Sequence, residues 1–214
     1  MKKSLLTLLF ICFFMFQESG LSASEEAVLT LRPEEISLRK LIQKYQIPSF
    51  QMSIKQDIFL SIIKTNLSSE GILFIKHPQF RLDLKGKPSS LTLFDGSFLW
   101  HQADKTEKLV FKIKNPMQFQ ILTNFFDSKS FFDNFQISKY HKKGSLEFYS
   151  LDPKKDFHGL EQIFMKAGTF IIEIRLIWKD LNNWQKYTFS PPLKKNLPEE
   201  TFKFSSTGFQ VLDQ

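Results

Sequence analysis

The segment GTFIIEIRLIW, residues 168–178, sets Phe170, Ile172, Ile174, Leu176 and Trp178 on one side of a two-residue alternation and Glu173 and Arg175 on the other. Successive side chains of an extended chain point to opposite faces, so such a run folds as a strand with one face buried and one wet. The pattern recurs along the chain. Phe50, Met52 and Ile54 alternate with Gln51, Ser53 and Lys55; Leu109, Phe111 and Ile113 alternate with Lys108, Lys112 and Lys114. In GILFIKHPQFRLDL, residues 71–84, a strand stops at a Lys-His-Pro corner and resumes with Phe80, Leu82 and Leu84 against Arg81, Asp83 and Lys85. A chain dominated by this alternation builds a sheet, and the apolar face of that sheet must be covered.

Turn chemistry connects the strands. Asp95-Gly96 within SSLTLFDGSFLWHQ marks a hairpin, and Lys143-Gly144 marks a second within FQISKYHKKGSLEFYSL. NNWQKYTFS and ETFKFSS read as closing strands, with Tyr187, Phe189, Phe202 and Phe204 on the apolar side. Helices are few. RPEEISLRKLIQKYQ begins with Pro33 and two acids, carries Ile36, Leu38, Leu41, Ile42 and Tyr45 inside, and is closed by Pro48. MQFQILTNFFD sets Met117, Ile121, Leu122 and Phe125 on one helical face, with Phe119 and Phe126 beyond it, either a core helix or a lid over something apolar.

The sum is a mainly β (α+β) chain whose sheet is antiparallel, apolar on one face and wet on the other. Its helices are too few and too short to fill a closed barrel. The expected fold is an unclosed antiparallel β-barrel with short helices forming a lid over an apolar cavity. The residues expected to line that cavity are Phe50, Met52, Ile54, Phe74, Phe80, Leu82, Leu91, Leu93, Phe98, Trp100, Phe111, Phe170, Ile172, Ile174, Leu176 and Trp178. The expected lid residues are Met117, Ile121, Leu122 and Phe125. The chain has 25 phenylalanines, which suits either an ordinary core or an apolar lining.

At the N-terminus, MKKS precedes the apolar run LLTLLFICFFMF and then QESGLSAS, with small residues at Ser22, Ala23 and Ser24. This is the pattern of a cleaved secretory signal over residues 1–24, leaving a single domain over 25–214; the run falls short of the roughly twenty apolar residues that span a bilayer. The one cysteine, Cys12, lies inside it, so the exported chain is expected to carry no thiol and no cysteine-based metal site. Its neighbours Leu9, Phe10 and Ile11 are not the small residues a lipidation site wants. The formal charge is +7, which favours acidic partners or anionic surfaces and also suits plain solubility. Lys142-Lys143, Lys154-Lys155 and Lys194-Lys195 fall in expected turns, a placement that argues against a nucleic-acid stripe.

His77, His101, His141 and His158 lie without metal-ligand spacing, and no HExxH, GxSxG or phosphate-binding glycine loop occurs. The acidic pairs Glu25-Glu26, Glu34-Glu35 and Glu199-Glu200 stand near termini or prolines, as solvated charge does. The expectation is a binding protein rather than an enzyme, with no cofactor and no metal.

Four landmarks in order resemble the outer-membrane lipoprotein carrier family, the LolA-like periplasmic chaperones. They are SFQMSIKQ from Ser49, GILFIKHPQF from Gly71, DGSFLW from Asp95, and DLNNWQKYTF followed by LPEETFKFSSTGFQVLDQ. The resemblance implies an unclosed β-barrel with a helical lid and a monomer located in the periplasm. It implies a chaperone that takes acylated lipoproteins from an inner-membrane ABC transporter, shields their acyl chains and passes them to an outer-membrane lipoprotein receptor. A lipid- or lipoprotein-binding sensor or receptor module of the same fold, with another hydrophobic cargo, is the alternative. Burying an acyl chain of roughly fifteen methylenes gains on the order of 12 kcal/mol at about 0.8 each, so a carrier must offset part of that gain to release its cargo. The family carries Arg before the corner proline as a lid gate, where this chain has His77. An imidazole donates one hydrogen bond where a guanidinium offers five donors.

Overall fold

Tight turns between alternating segments decide the topology, because they pair each strand with the next. The computed structural model describes residues 31–87, 89–114, 128–156, 159–179 and 183–213. β1 (Ser49–Leu60), β2 (Thr65–Lys76), β3 (Gln79–Lys87), β4 (Leu91–Phe94), β5 (Phe98–Gln102) and β6 (Leu109–Lys114) form one antiparallel meander. β7 (Phe135–Lys143), β8 (Leu146–Pro153), β9 (Leu160–Ala167), β10 (Ile171–Trp178) and β11 (Trp184–Phe189) form another. The meanders join where β1 pairs with β11, Ile54 opposite Phe189 and Phe59 opposite Trp184. β12 (Leu193–Lys194) continues along β1 beyond the end of β11, and β13 (Gln210–Asp213) pairs with β6. The result is one unclosed 13-stranded sheet with β13 and β7 at its two ends.

The hairpin expected at Asp95-Gly96 forms, with Gly96 taking φ +103°. Asp95 Oδ1 accepts from the amides of Ser97 and Phe98, and Oδ2 accepts from Trp100 Nε1, each at 2.8 Å. Burial raises this carboxyl, but those donors outweigh it and hold Asp95 below the ordinary carboxylate range.

Helices cover one face. α1 (Pro33–Gln43) buries Leu38, Leu41 and Ile42, and Tyr45 follows just beyond its end; the expected Ile36 lies outside this stripe and is exposed. α2 (Ser128–Asn134) buries Phe131, whose ring meets Phe132 and Phe135 at 5.0 and 5.5 Å. Arg39 ties the helices together, its guanidinium 3.9 Å from the Phe132 ring centre.

The structure corrects the sequence reading in three places. ETFKFSS is not a strand: Glu199–Phe202 is a 3-10 helix, and the sheet's last strand, β13, runs parallel to β6. The stretch from β12 to β13 crosses the sheet face opposite the helices as a strap. Arg81 donates to the Thr201 carbonyl at 3.4 Å, Lys76 pairs with Glu199, and the Trp100 and Phe204 rings stack at 5.1 Å. That face is therefore not wet throughout, since Leu93, Val110 and Phe202 are fully buried in a layer of their own. Finally, β9 had no clean alternation to announce it. Its pairing with β10 shifts register between Ile177 and Trp178, so the buried set runs Leu160, Ile163, Met165, Ala167.

Candidate functional site

Directly paired residues of antiparallel strands share a face, so the register assigns the paired lining residues to one side of the sheet or the other. Phe50 pairs with Ile75, Met52 with Leu73, Ile54 with Phe189, Leu73 with Leu82, and Ile75 with Phe80. Phe50, Met52, Ile54, Phe80 and Leu82 therefore lie together on the helix-covered face, each at most 5% exposed. Ile174 and Leu176 join them through Tyr187 and Gln185 of β11. Phe111 reaches the same face through His101, which pairs with Thr92. Phe170 and Trp178 pack at the margin of this core, half-buried. A bulge between Ile171 and Glu173 gives the interior position to Ile171, at 2% exposure, and leaves Ile172 half-buried.

Five expected lining residues lie on the opposite face. Phe74 pairs with Gln51 and Arg81, Leu93 with Arg81 and Trp100, Leu91 with Asp83, and Phe98 with Lys114. Phe74, Leu91, Leu93, Phe98 and Trp100 thus belong to the strapped side. Both faces are apolar there, and alternation alone does not say which apolar set meets the helices. The expected lid residues Met117, Ile121, Leu122 and Phe125 lie outside the described residues. Leu73, Ile75, Tyr149, Leu151, Ile163 and Met165 were not singled out from the sequence, yet all belong to the helix-side core.

Polar contacts join the helix segment to the rest of the fold at its margin. Tyr45 Oη accepts from the Ile171 amide at 2.8 Å, and burial pushes its pKa up to about 12 despite that bond. Ser37 and Tyr149 donate to Glu147 Oε2 at 2.8 and 2.5 Å. Burial raises Glu147, but the Tyr149, Ser37 and Lys142 donors hold it below the usual carboxylate range. Lys44 Nζ donates to the Thr169 carbonyl at 2.8 Å. His77, exposed at the cis His77–Pro78 corner, sets Nε2 3.4 Å from the carbonyl oxygen of Tyr45. The 3-10 bonds that end α1 run from Lys44, Tyr45 and Gln46 back to Leu41, Ile42 and Gln43, leaving the Tyr45 carbonyl turned toward the corner.

Toward the β1–β2 turn the helix-side interior becomes polar. Gln56 donates to Tyr187 Oη at 3.0 Å, and Tyr187 donates to Gln185 Oε1 at 3.2 Å. Burial pushes Tyr187 up to about 12, so it remains a neutral donor in physiological conditions. Two open cavities lie chiefly on the other face. One of about 900 Å³ has Ile72 and Phe74 among Lys55, Glu70, Asp83 and Lys85. The other, of about 590 Å³, has Phe148 and Phe164 among Lys139, His141, Lys166 and Glu173. Among the described residues no helix is long and apolar enough to cross a membrane, and no group of three His, Cys, Asp or Glu is placed to hold a metal.

No family model matches the chain, and no curated protein matches it in sequence. Solved structures do match. An uncharacterized conserved protein of Thermus thermophilus aligns at 10% identity over 85% of this chain and 99% of its own, with a TM-score of 0.52. A LolA superfamily protein of Nitrosomonas europaea aligns at 9% identity over 79% of this chain and 97% of its own, with a TM-score of 0.46. A DUF1329 family protein of Desulfovibrio piger aligns at 8% identity over 79% and 96%, with a TM-score of 0.47. At such identities the likeness is one of fold alone.

Proposed function

We propose that the chain binds the acyl chains of lipoproteins between its helices and the apolar sheet face, and carries them through the periplasm from an inner-membrane transporter to an outer-membrane receptor. The observation that carries this reading is the arrangement on the helix side. Among the described residues, a broad, continuous apolar face is covered by two short helices, and the α1 segment packs on it through Leu38, Leu41, Ile42 and Tyr45, with Ser37, Lys44 and Tyr45 making hydrogen bonds at its margin. Lifting α1 would open a trough floored by Phe50, Met52, Ile54, Phe80, Leu82, Ile174 and Leu176. The closed core satisfies itself in the empty state, which offsets part of the gain from burying an acyl chain and permits release. The ordered landmarks from Ser49 to the C-terminus support the same reading, and the work is binding rather than catalysis.

In this reading His77 is a weak latch. Among the described residues its one long hydrogen-bond contact, to the Tyr45 carbonyl, gives the closed state less hold than a guanidinium would, so cargo enters readily. The chain is expressed in a periplasm beside a tagged outer-membrane lipoprotein, isolated, and examined by mass spectrometry. Triacylated lipoprotein should co-purify, and Phe80→Glu should abolish it. Trp178→Glu, at the half-buried margin, tests the same face where the Phe80 variant fails to fold. Recovery of free lipid in place of lipoprotein would change the cargo to that of the sensor or receptor alternative. An empty protein beside a loaded reference carrier would sink the reading.

A further inference from the structure

The β1–β2 turn is built against the habit of turns, which are polar. Ile62 and Ile63 at its tip are 72% and 63% exposed, the highest values of any large apolar side chain among the described residues. Lys64 beside them takes φ +47°, a left-handed position that glycine or asparagine ordinarily fills.

The surface behind the tip is layered. First come Phe59 and Trp184, paired across β1 and β11 on the face opposite the helices, with their rings stacked at 5.9 Å. Next comes a row crossing six strands, in which Asp57, Lys186, Arg175, Phe164, Ser150 and Lys139 stand successively opposite one another. The Arg175 guanidinium lies 5.4 Å from the Trp184 ring centre, and Phe164 is 42% exposed. Lys55 and Lys166 extend the basic band, and exposed Lys179 follows Trp178 at the end of β10. Two acids of the band are held by its own cations, Lys186 lying 2.9 Å from Asp57 and Arg175 3.7 Å from Glu173, and a third, Glu70, stands opposite Lys55 at its margin.

Apolar tip, aromatic pair, basic band: this order matches the depth profile of a bilayer surface, where aliphatic groups enter the acyl region, aromatic rings sit at headgroup level and cations meet anionic headgroups. We propose that this end of the sheet docks reversibly on an anionic membrane surface, with Ile62 and Ile63 inserted. A protein partner fits less well. Two isoleucines fall far short of the roughly 800 Å² per partner of a standard interface. Strand addition at the tip is closed as well, because β1 is already paired on both sides there by β2 and β11. The formal charge of +7 complements an anionic surface. The proposal does not depend on the cargo reading.

The test is co-sedimentation of the purified protein with vesicles of phosphatidylcholine alone and with about one-third phosphatidylglycerol. Binding is expected on the anionic vesicles only, weakened by salt, with a blue shift in tryptophan emission as Trp184 enters the headgroup region. Ile62→Glu/Ile63→Glu should lower the partition about tenfold or more, with circular dichroism and thermal midpoint unchanged because both side chains are exposed. Lys64→Glu/Lys179→Glu should remove the dependence on anionic lipid. Equal binding of wild type and the isoleucine variant would overturn the proposal, as would no binding by either. A variant that alters only the sedimenting mass in lipid-free solution would also overturn it and make a second copy of the chain the occupant.

Discussion

The two meanders share one helix-side core, yet they treat their other face differently. Under β3 to β6 that face is apolar, and the strap seals it: Leu93, Val110 and Phe202 are fully buried, and Trp100 stacks on Phe204. Over β8 to β10 the same face lies open, with Phe148 and Phe164 set among Lys139, Lys166 and Arg175. One half is thus a three-layer structure and the other a two-layer structure on a single sheet. A face that carries its own apolar residues either receives a cover from the chain or stays available to something else.

The sharpest way to break this contrast is a matched pair of truncations. Phe202→Ala should cost about 4 kcal/mol in urea unfolding, since it empties a fully buried site between strap and sheet. Phe164→Ala on the open half should change stability by about 0.5 kcal/mol or less, as exposed positions do. Similar losses from the two would erase the distinction.

A smaller effect on the strapped half is read by pH. On the strapped half Asp83 takes hydrogen bonds from Lys105 and Arg81, the latter at 3.1 Å. Burial raises its carboxyl, but these two partners outweigh that and hold it below the ordinary range. A carboxyl depressed in the folded state contributes stability above its unfolded value of about 3.9, and that contribution fades as pH falls through the folded value. Thermal midpoints of wild type should therefore drop on the acid side of about pH 4, and Asp83→Asn should be less stable at neutral pH with a flatter acid limb. Parallel curves for the two proteins would remove Asp83 from the account.

The smallest expected effect is at the corner. His77→Ala should leave global stability within about 0.5 kcal/mol, because the contact to Tyr45 is long and His77 itself is exposed. It should still speed hydrogen exchange in α1 if the imidazole holds that segment down. Unchanged exchange would assign His77 to the turn alone.

Much of the meander was legible because its hairpins are local: Asp95-Gly96, Lys143-Gly144 and the His77-Pro78 corner each stand between alternating runs. What stayed hidden was decided at long range. Phe74, Leu91, Leu93, Phe98 and Trp100 alternate as well as Phe50 and Met52 do, and only the strap reveals that they answer to a different cover. The 3-10 helix at Glu199–Phe202 keeps the Phe202-x-Phe204 spacing of a strand while packing on the sheet as a separate layer. β9 escaped notice because a register shift breaks its period. Within the candidate site, the apolar floor was readable strand by strand, whereas the contact between His77 and the Tyr45 carbonyl depends on where α1 ends relative to a corner more than thirty residues away.

The junction of β1 with β11 also sets an order of events. Ile54 finds Phe189, and Leu109 finds Gln210, only after most of the chain has been made available. Hairpins can zip as they emerge, but the seam between the meanders and the final parallel strand close distant loops, and such closures slow folding. Until they form, β1 and β6 are unprotected edges, open to the wrong neighbour. A chain lacking its last few residues would therefore be expected to suffer first in yield and aggregation during biogenesis, before any loss in what the finished molecule binds.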